Sequence, residues 1–329
     1  MLSTMDIESF LRKENIVLLE NNEKQPVIRE LIQKLEDNGA AAVVLKSIFE
    51  EEIVFEYEDV LKEAREEGIN LEQFDYYDYQ IKGEKLNKYT GLISECKSSV
   101  SIPVIASINC VYSHEWTAFA KQLQDAGADA LELNMFFLPS DFARTTEEKE
   151  KAYFQIIENV KKTVSVPIAL KISYYFSNLG PMIQQLSETG IAGLVLFNRF
   201  YSPDFDIDKL EVVSSNVFSN PSDLHLSLRW IAIMAERVSC DLAASTGVHD
   251  GNALIKQILA GANAVQVVSS LYKNGKGQIK TMLSILEKWM TRKGFNSLSD
   301  FRGKMSQAKS SNPATYERVQ FMRYFGGAH

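Results

Sequence analysis

The chain has 329 residues, 45% of them hydrophobic and 24% charged, a balance that buries a large core and excludes a disordered chain or a small disulfide scaffold. Its formal net charge is -8 with Lys and Arg scattered along the whole length, which offers no basic patch to a nucleic acid. Cys96, Cys110 and Cys240 form no CxxC pair, and no run approaches the roughly 20 apolar residues of a membrane span, so disulfides, a metal site and membrane insertion are not expected.

The opening stretch MLSTMDIESFLRKENI is too acidic for a secretory signal, which makes a cytoplasmic location the expectation. NIVLLE (15–20) then reads as a first strand and 26–38 as a helix. Four later segments share one design, DNGAAAVVLKS (37–47), DAGADALELNM (125–135), ETGIAGLVLFN (188–198) and LAGANAVQVVS (259–269). Each has a polar helix end, a Gly suited to the left-handed position that stops a helix, and an apolar run of buried-strand length. Three strands of a second design, VSIPVIASIN (100–109), VSVPIALKI (164–172) and SCDLAAS (239–245), lie between them. Amphipathic stretches at 113–126, 147–163, 178–189, 224–238 and 250–260 separate the strands, and 273–292 reads as a long closing helix.

Strands alternating with helices imply parallel pairing and right-handed crossovers, so the expected fold is a single parallel (βα)8 TIM barrel over 1–329. Longer insertions at 69–99 and 199–223 are expected on βα loops, with a helical C-terminal tail over 293–329. A doubly wound open sheet is the rival, but it calls for a Gly-rich first turn and LLENNEKQ has no Gly.

In a barrel the site is built where strands end, and the closing residues here are Lys46, Asn109, Asn134, Lys171, Asn198, Ser245 and Ser269. Two lysines, three amides and two hydroxyls suit a polar heterocycle and developing negative charge, not hydrolysis by paired acids. Lys171 follows PIAL, so its stem starts deep and its ammonium needs an anionic or carbonyl partner. A strand-terminal Lys can also simply leave the sheet for water, and a Schiff-base role for Lys171 is a rival functional reading. AASTGVHDG (243–251) and VQVVSS (265–270) place glycines and hydroxyls at the last two turns, the usual barrel phosphate site with its adjoining helix start. His249 in that turn suits a cap, a phosphate contact or plain surface. FDYYDY (74–79), Phe136–Phe137 and Tyr174–Tyr175 could line a pocket for a flat ring or pack the loops down.

Through VVLKS, ADALELN, VPIALKI, the Asn198 strand end, AASTGVHDG and GANAVQVVSSLYKNG, the chain resembles the dihydroorotate dehydrogenase family, class 1 and its bacterial dehydrogenase-like branch, from about Ala40 to about Ser306. The resemblance implies non-covalent FMN and oxidation of dihydroorotate to orotate in pyrimidine and UMP biosynthesis, or oxidation of a related cyclic small molecule. It implies that Lys46 and Ser47 lie beside the flavin ring and substrate, and that Lys171 stabilises the reduced flavin. Asn134 and Asn198 would bond the flavin or pyrimidine amides. Ser245, Thr246, Gly247, Ser269 and Ser270 would bind the phosphate. The base that takes the substrate proton is expected in the loop after Asn134, which reads Met135-Phe136-Phe137-Leu138-Pro139-Ser140, and Ser140 is its candidate. Family members commonly form dimers, so a homodimer is a further expectation. A Schiff-base lyase or other phosphate-substrate barrel, and a catalytically impaired paralogue, are the alternatives.

Overall fold

The computed structural model describes residues 16–19, 25–49, 74–109, 115–135, 140, 142, 144–199, 202–215 and 218–317. In chain order β1 (Ile16–Leu19), α1 (Gln25–Asp37), β2 (Ala42–Leu45), a short β3 (Ile48–Phe49), α2 (Phe74–Ser99), β4 (Val104–Asn109), α3 (Glu115–Asp125) and β5 (Ala130–Met135) make the first half. They are followed by α4 (Thr146–Thr163), β6 (Ile168–Ile172), α5 (Leu179–Ser187), β7 (Gly193–Leu196), a hairpin β8 (Ser202–Asp206) and β9 (Glu211–Ser215), then α6 (Leu224–Met234) and β10 (Asp241–Ala244). The series ends with α7 (Gly251–Ala260), β11 (Ala264–Val267), α8 (Ser269–Asn274), α9 (Gln278–Lys293) and a short α10 (Ala314–Glu317).

The main sheet is parallel and curled, running β2-β1-β11-β10-β7-β6-β5-β4, with β2 also paired to β4 and β3 adding a short ladder on β4. β4 and β5 are buried at every position, as strands covered on both faces must be, and their apolar runs therefore do not alternate. The junctions follow the repeated design: Gly39, Gly127, Gly190 and Gly261 all have positive φ, a conformation L side chains resist. α4 shows why a helix forms and how it docks. Thr145 and Glu148 make a reciprocal capping box, and Tyr153, Ile156, Ile157 and Val160 fall on one buried face. Burying each isoleucine there stabilises by about 1.5–3 kcal/mol.

The core lies in two layers. A large cluster fills the space between sheet and helices, while Ala42, Val44, Ile105, Ala130 and Ala264 form a smaller cluster of their own. Small side chains leave an apolar cavity of about 60 Å³, lined by Ala130, Ala169, Ala243, Ala264 and also by Glu132 and Gln266.

Three expectations are corrected. Within the proposed 69–99 insertion, Phe74–Ser99 is helix α2, held by Leu86, Tyr89, Leu92, Ile93 and Cys96 at helical spacing. The closing helix over 273–292 is two helices, α8 and α9, because Gly275 turns to φ 78° between them. The tail after Lys293 is made of single 3-10 turns (Leu298–Asp300 and Gln307–Lys309) and the four-residue α10, not one helix; residues 318–329 lie outside the described ones. The 199–223 insertion carries the β8–β9 hairpin. Asp206 turns it, its carboxylate accepting from the Asp208 and Lys209 amides at 3.0 Å each.

Candidate active site

Side chains two apart on a strand share a face, so Glu132 lies below Asn134 on β5. The register sets Ser107 beside Glu132 and Lys171 beside Asn134. Two connected networks result. In the upper one Asn134 Nδ2 donates to Ser47 Oγ at 3.2 Å, Asn198 Nδ2 donates to Asn134 Oδ1 at 2.6 Å, and Asn109 Nδ2 donates to the Asn134 carbonyl oxygen at 2.8 Å. Ser47 and Ser107 hydroxyls meet at 2.7 Å. In the lower one the Lys171 ammonium donates to Gln266 Oε1 at 3.0 Å and to Glu132 Oε1 at 3.4 Å, while Gln266 Nε2 donates to Glu132 Oε2 at 2.6 Å. Glu132 and Lys171 are 1% and 5% exposed, so neither charge is solvated by bulk water and the pair balances itself.

Tyr89 supports the upper network from α2. Its buried hydroxyl donates toward the Lys46 and Ser107 carbonyl oxygens at 2.8 and 3.2 Å and accepts from the Ser107 N–H at 3.1 Å. Burial pushes its phenol well above the ordinary tyrosine range, so it stays a neutral donor. Tyr89→Phe strands those backbone groups and is expected to cost about 1–3 kcal/mol, read as a lower midpoint in urea unfolding.

Above Lys171 opens a cavity of about 200 Å³ lined by Lys171, Asn198, Arg199, Ser219, Ser245, Thr246, Gly247, Gln266 and Ser269. A second space of about 450 Å³ shares Asn198, Arg199, Ser245 and Thr246 with it and adds Tyr174, Tyr175 and Phe197. Of the residues expected from sequence, Ser47, Asn134 and Asn198 join one network, and Lys171, Asn198, Ser245, Thr246, Gly247 and Ser269 line one cavity. Lys46 is half-buried at the end of β2. Ser270 is fully buried and its hydroxyl has no hydrogen-bond partner among the described residues. Ser140 is exposed at a turn; residues 136–139, with the Phe136–Phe137 pair, lie outside the described residues, as do the side chains of 74–79.

The helix start after β10 is corrected as an anion site. Asp250 caps α7 by accepting from the Ala253 amide at 2.7 Å, so a carboxylate already occupies that position. His249 is neither cap nor bare surface: its Nε2 meets Ser219 Oγ at 3.0 Å, while Ser219 N–H donates to Ser269 Oγ at 2.9 Å and Lys273 Nζ to the Ser219 carbonyl oxygen at 3.0 Å. Burial, and then the Lys273 charge, lower the His249 pKa below its usual value. The unfolded chain therefore binds this proton first, and His249 lowers stability as pH falls below about 6.5. His249→Gln should unfold at a urea midpoint that drops less between pH 8 and pH 5 than that of the unaltered protein.

Sequence reading missed Glu132, Gln266, Ser107, Tyr89, Arg199 and Ser219. Glu132 and Gln266 carried a signal, since each is a polar residue inside a fully buried strand, with Glu132 in phase with Asn134. Among the described residues no group of His, Cys, Asp and Glu is placed to hold a metal ion, and no helix is long and apolar enough to cross a membrane.

A curled parallel sheet with helices outside, a buried lysine and a polar cavity at its strand ends define a TIM-barrel-like α/β enzyme. The dihydroorotate dehydrogenase family description matches residues 58–290. The catalytic subunit of dihydroorotate dehydrogenase B (NAD(+)) from Thermoplasma volcanium is 26% identical over 283 residues, 83% of this chain and 88% of that protein. A putative dihydroorotate dehydrogenase A (fumarate) from Aeropyrum pernix is 27% identical over 217 residues, 64% of this chain and 70% of that protein. The chain belongs to the dihydroorotate dehydrogenase family and is an oxidoreductase.

Proposed function

We propose that the protein is an FMN-dependent oxidoreductase on a complete (βα)8 barrel, oxidising dihydroorotate or a related cyclic substrate. The observation that carries this reading is the convergence of Lys171, Asn198, Ser245, Thr246 and Ser269 on one cavity at the strand ends. These donors suit a phosphate and a heterocycle that gains negative charge. Bound FMN would supply a hydride acceptor. In this reading Ser245, Thr246, Gly247, Ser269 and Ser270 hold the phosphate, and Lys46, Ser47, Asn134 and Asn198 orient the ring and substrate amides. Lys171 stabilises developing negative charge, and Ser140 takes the substrate proton.

A Schiff-base lyase is disfavoured, because Lys171 is already engaged by Glu132 and Gln266. The test is an absorbance spectrum of the purified protein with added FMN, followed by anaerobic dihydroorotate. A yellow protein that bleaches supports the reading. A colourless protein that takes up no FMN overturns it, and a yellow protein that stays yellow restricts it to another substrate or to a paralogue without this turnover.

A further inference from the structure

We propose that Glu132 is a positioning residue that holds Lys171 from below and sets how strongly the site favours a reduced, negatively charged flavin; this rests on the flavin reading. Three observations carry it. Glu132 is buried and its carboxylate accepts from Gln266 Nε2 at 2.6 Å, Lys171 Nζ at 3.4 Å and Ser107 Oγ at 3.4 Å. Lys171 and Gln266 line the polar cavity at the strand ends, and Glu132 does not. Glu132 and Gln266 instead line the apolar, alanine-walled cavity of about 60 Å³ on the other side. Lys171 and Gln266 thus form a floor, and Glu132 stands on the side away from the ligand.

Among the described residues the hydrogen-bond donors to this carboxylate are Gln266, Lys171 and the neutral Ser107 hydroxyl, so its charge is balanced through the Lys171 ammonium. Buried charges stay paired because an isolated one is costly. A ligand that becomes negative above the floor must share the Lys171 ammonium with Glu132. The carboxylate therefore opposes charge building up in the cavity while fixing the ammonium in place. Removing its charge leaves Lys171 to the ligand alone and favours the reduced state.

The experiment measures the midpoint potential of the FMN-loaded protein for the unaltered chain, Glu132→Gln and Glu132→Asp. Glu132→Gln keeps shape and loses charge, and its reduction equilibrium is expected to shift about tenfold toward the reduced form, about 30 mV for two electrons. Glu132→Asp keeps the charge on a shorter arm and is expected to shift the same way by less. It decides the matter if the Gln variant does not fold. A lower unfolding midpoint with an unchanged or more negative potential overturns the proposal, since a structural role alone weakens the fold without moving the potential upward. An unaltered protein that takes up no FMN overturns the flavin reading and this inference with it; a yellow protein whose variants show no positive shift overturns this inference alone.

Discussion

Lys171→Met is expected to lower the free energy of unfolding by about 3–5 kcal/mol, because it strands a buried carboxylate. Glu132 would keep Gln266 Nε2 and Ser107 Oγ as donors but lose its countercharge, and at 1% exposure it is shielded from bulk water. Urea unfolding of the single and double variants checks the cause. Lys171→Met with Glu132→Gln removes both charges at once and should recover much of the loss, since a buried ion pair is often replaceable by neutral groups at little net cost. If the double variant is no more stable than Lys171→Met alone, the lysine matters through packing and not through charge. On the flavin reading the same single variant should slow flavin reduction by about 10²–10³-fold, the usual effect of removing one group that stabilises developing charge. The two readouts are independent, because unfolding is followed without cofactor.

Gly247→Ala carries the second large effect. Gly247 sits at φ 77° in the turn after β10, where an L side chain costs about 1–2 kcal/mol. An added Cβ would also fall against the Leu224 backbone nitrogen and within 2.7 Å of Leu224 Cα, and backbone at the start of α6 cannot swing aside as a side chain can. The expected loss is about 3 kcal/mol or more, with displacement of Ser245 and Thr246 and weaker retention of added FMN. Gly294→Ala is the control. It sits in the left-handed region at φ 73° and ψ 27°, yet an added Cβ there meets nothing within 4 Å, so only the conformational cost of about 1–2 kcal/mol remains. Equal losses at the two positions would mean that the Leu224 contact contributes nothing.

The αβ junctions were legible because one physical problem recurs: a helix must stop, reverse and feed a buried strand, and Gly39, Gly127, Gly190 and Gly261 solve it alike. Strand-end chemistry was legible for the same reason, and Asn134, Asn198 and Ser47 do meet. α2 was misread because its first turns mix Asp75, Asp78, Lys82, Gly83 and Glu84 with aromatic residues, which blurs the helical pattern that is plain at Leu86, Tyr89, Leu92, Ile93 and Cys96. Glu132 was passed over because attention to the closing residue of a strand ignores the position two before it, which faces the same way, and Gln266 because it lies three before Ser269, out of phase with it. That a cap rather than a ligand sits at the start of α7 depends on which way Asp250 turns, and sequence does not encode a rotamer. Ser219 and Arg199 reach the cavity from a long connection whose path no local pattern specifies.

The β8–β9 hairpin has a consequence for how the molecule behaves in concentrated solution. Among the described residues no third strand joins it, so both outer edges keep backbone groups able to pair with another chain. Phe205 and Val212 face each other across the strands at 67% and 64% exposure, which would invite such pairing. Beside them Asp206 stands opposite Glu211, a like-charge pair that weakens the ribbon yet repels the same ribbon on a second copy. That repulsion reaches about 10 Å at 0.1 M salt and about 3 Å at 1 M. Added salt therefore weakens the repulsion at this exposed ribbon, which Lys209 at 3.8 Å from Asp206 already offsets in part, while the buried Glu132–Lys171 pair is left largely unscreened.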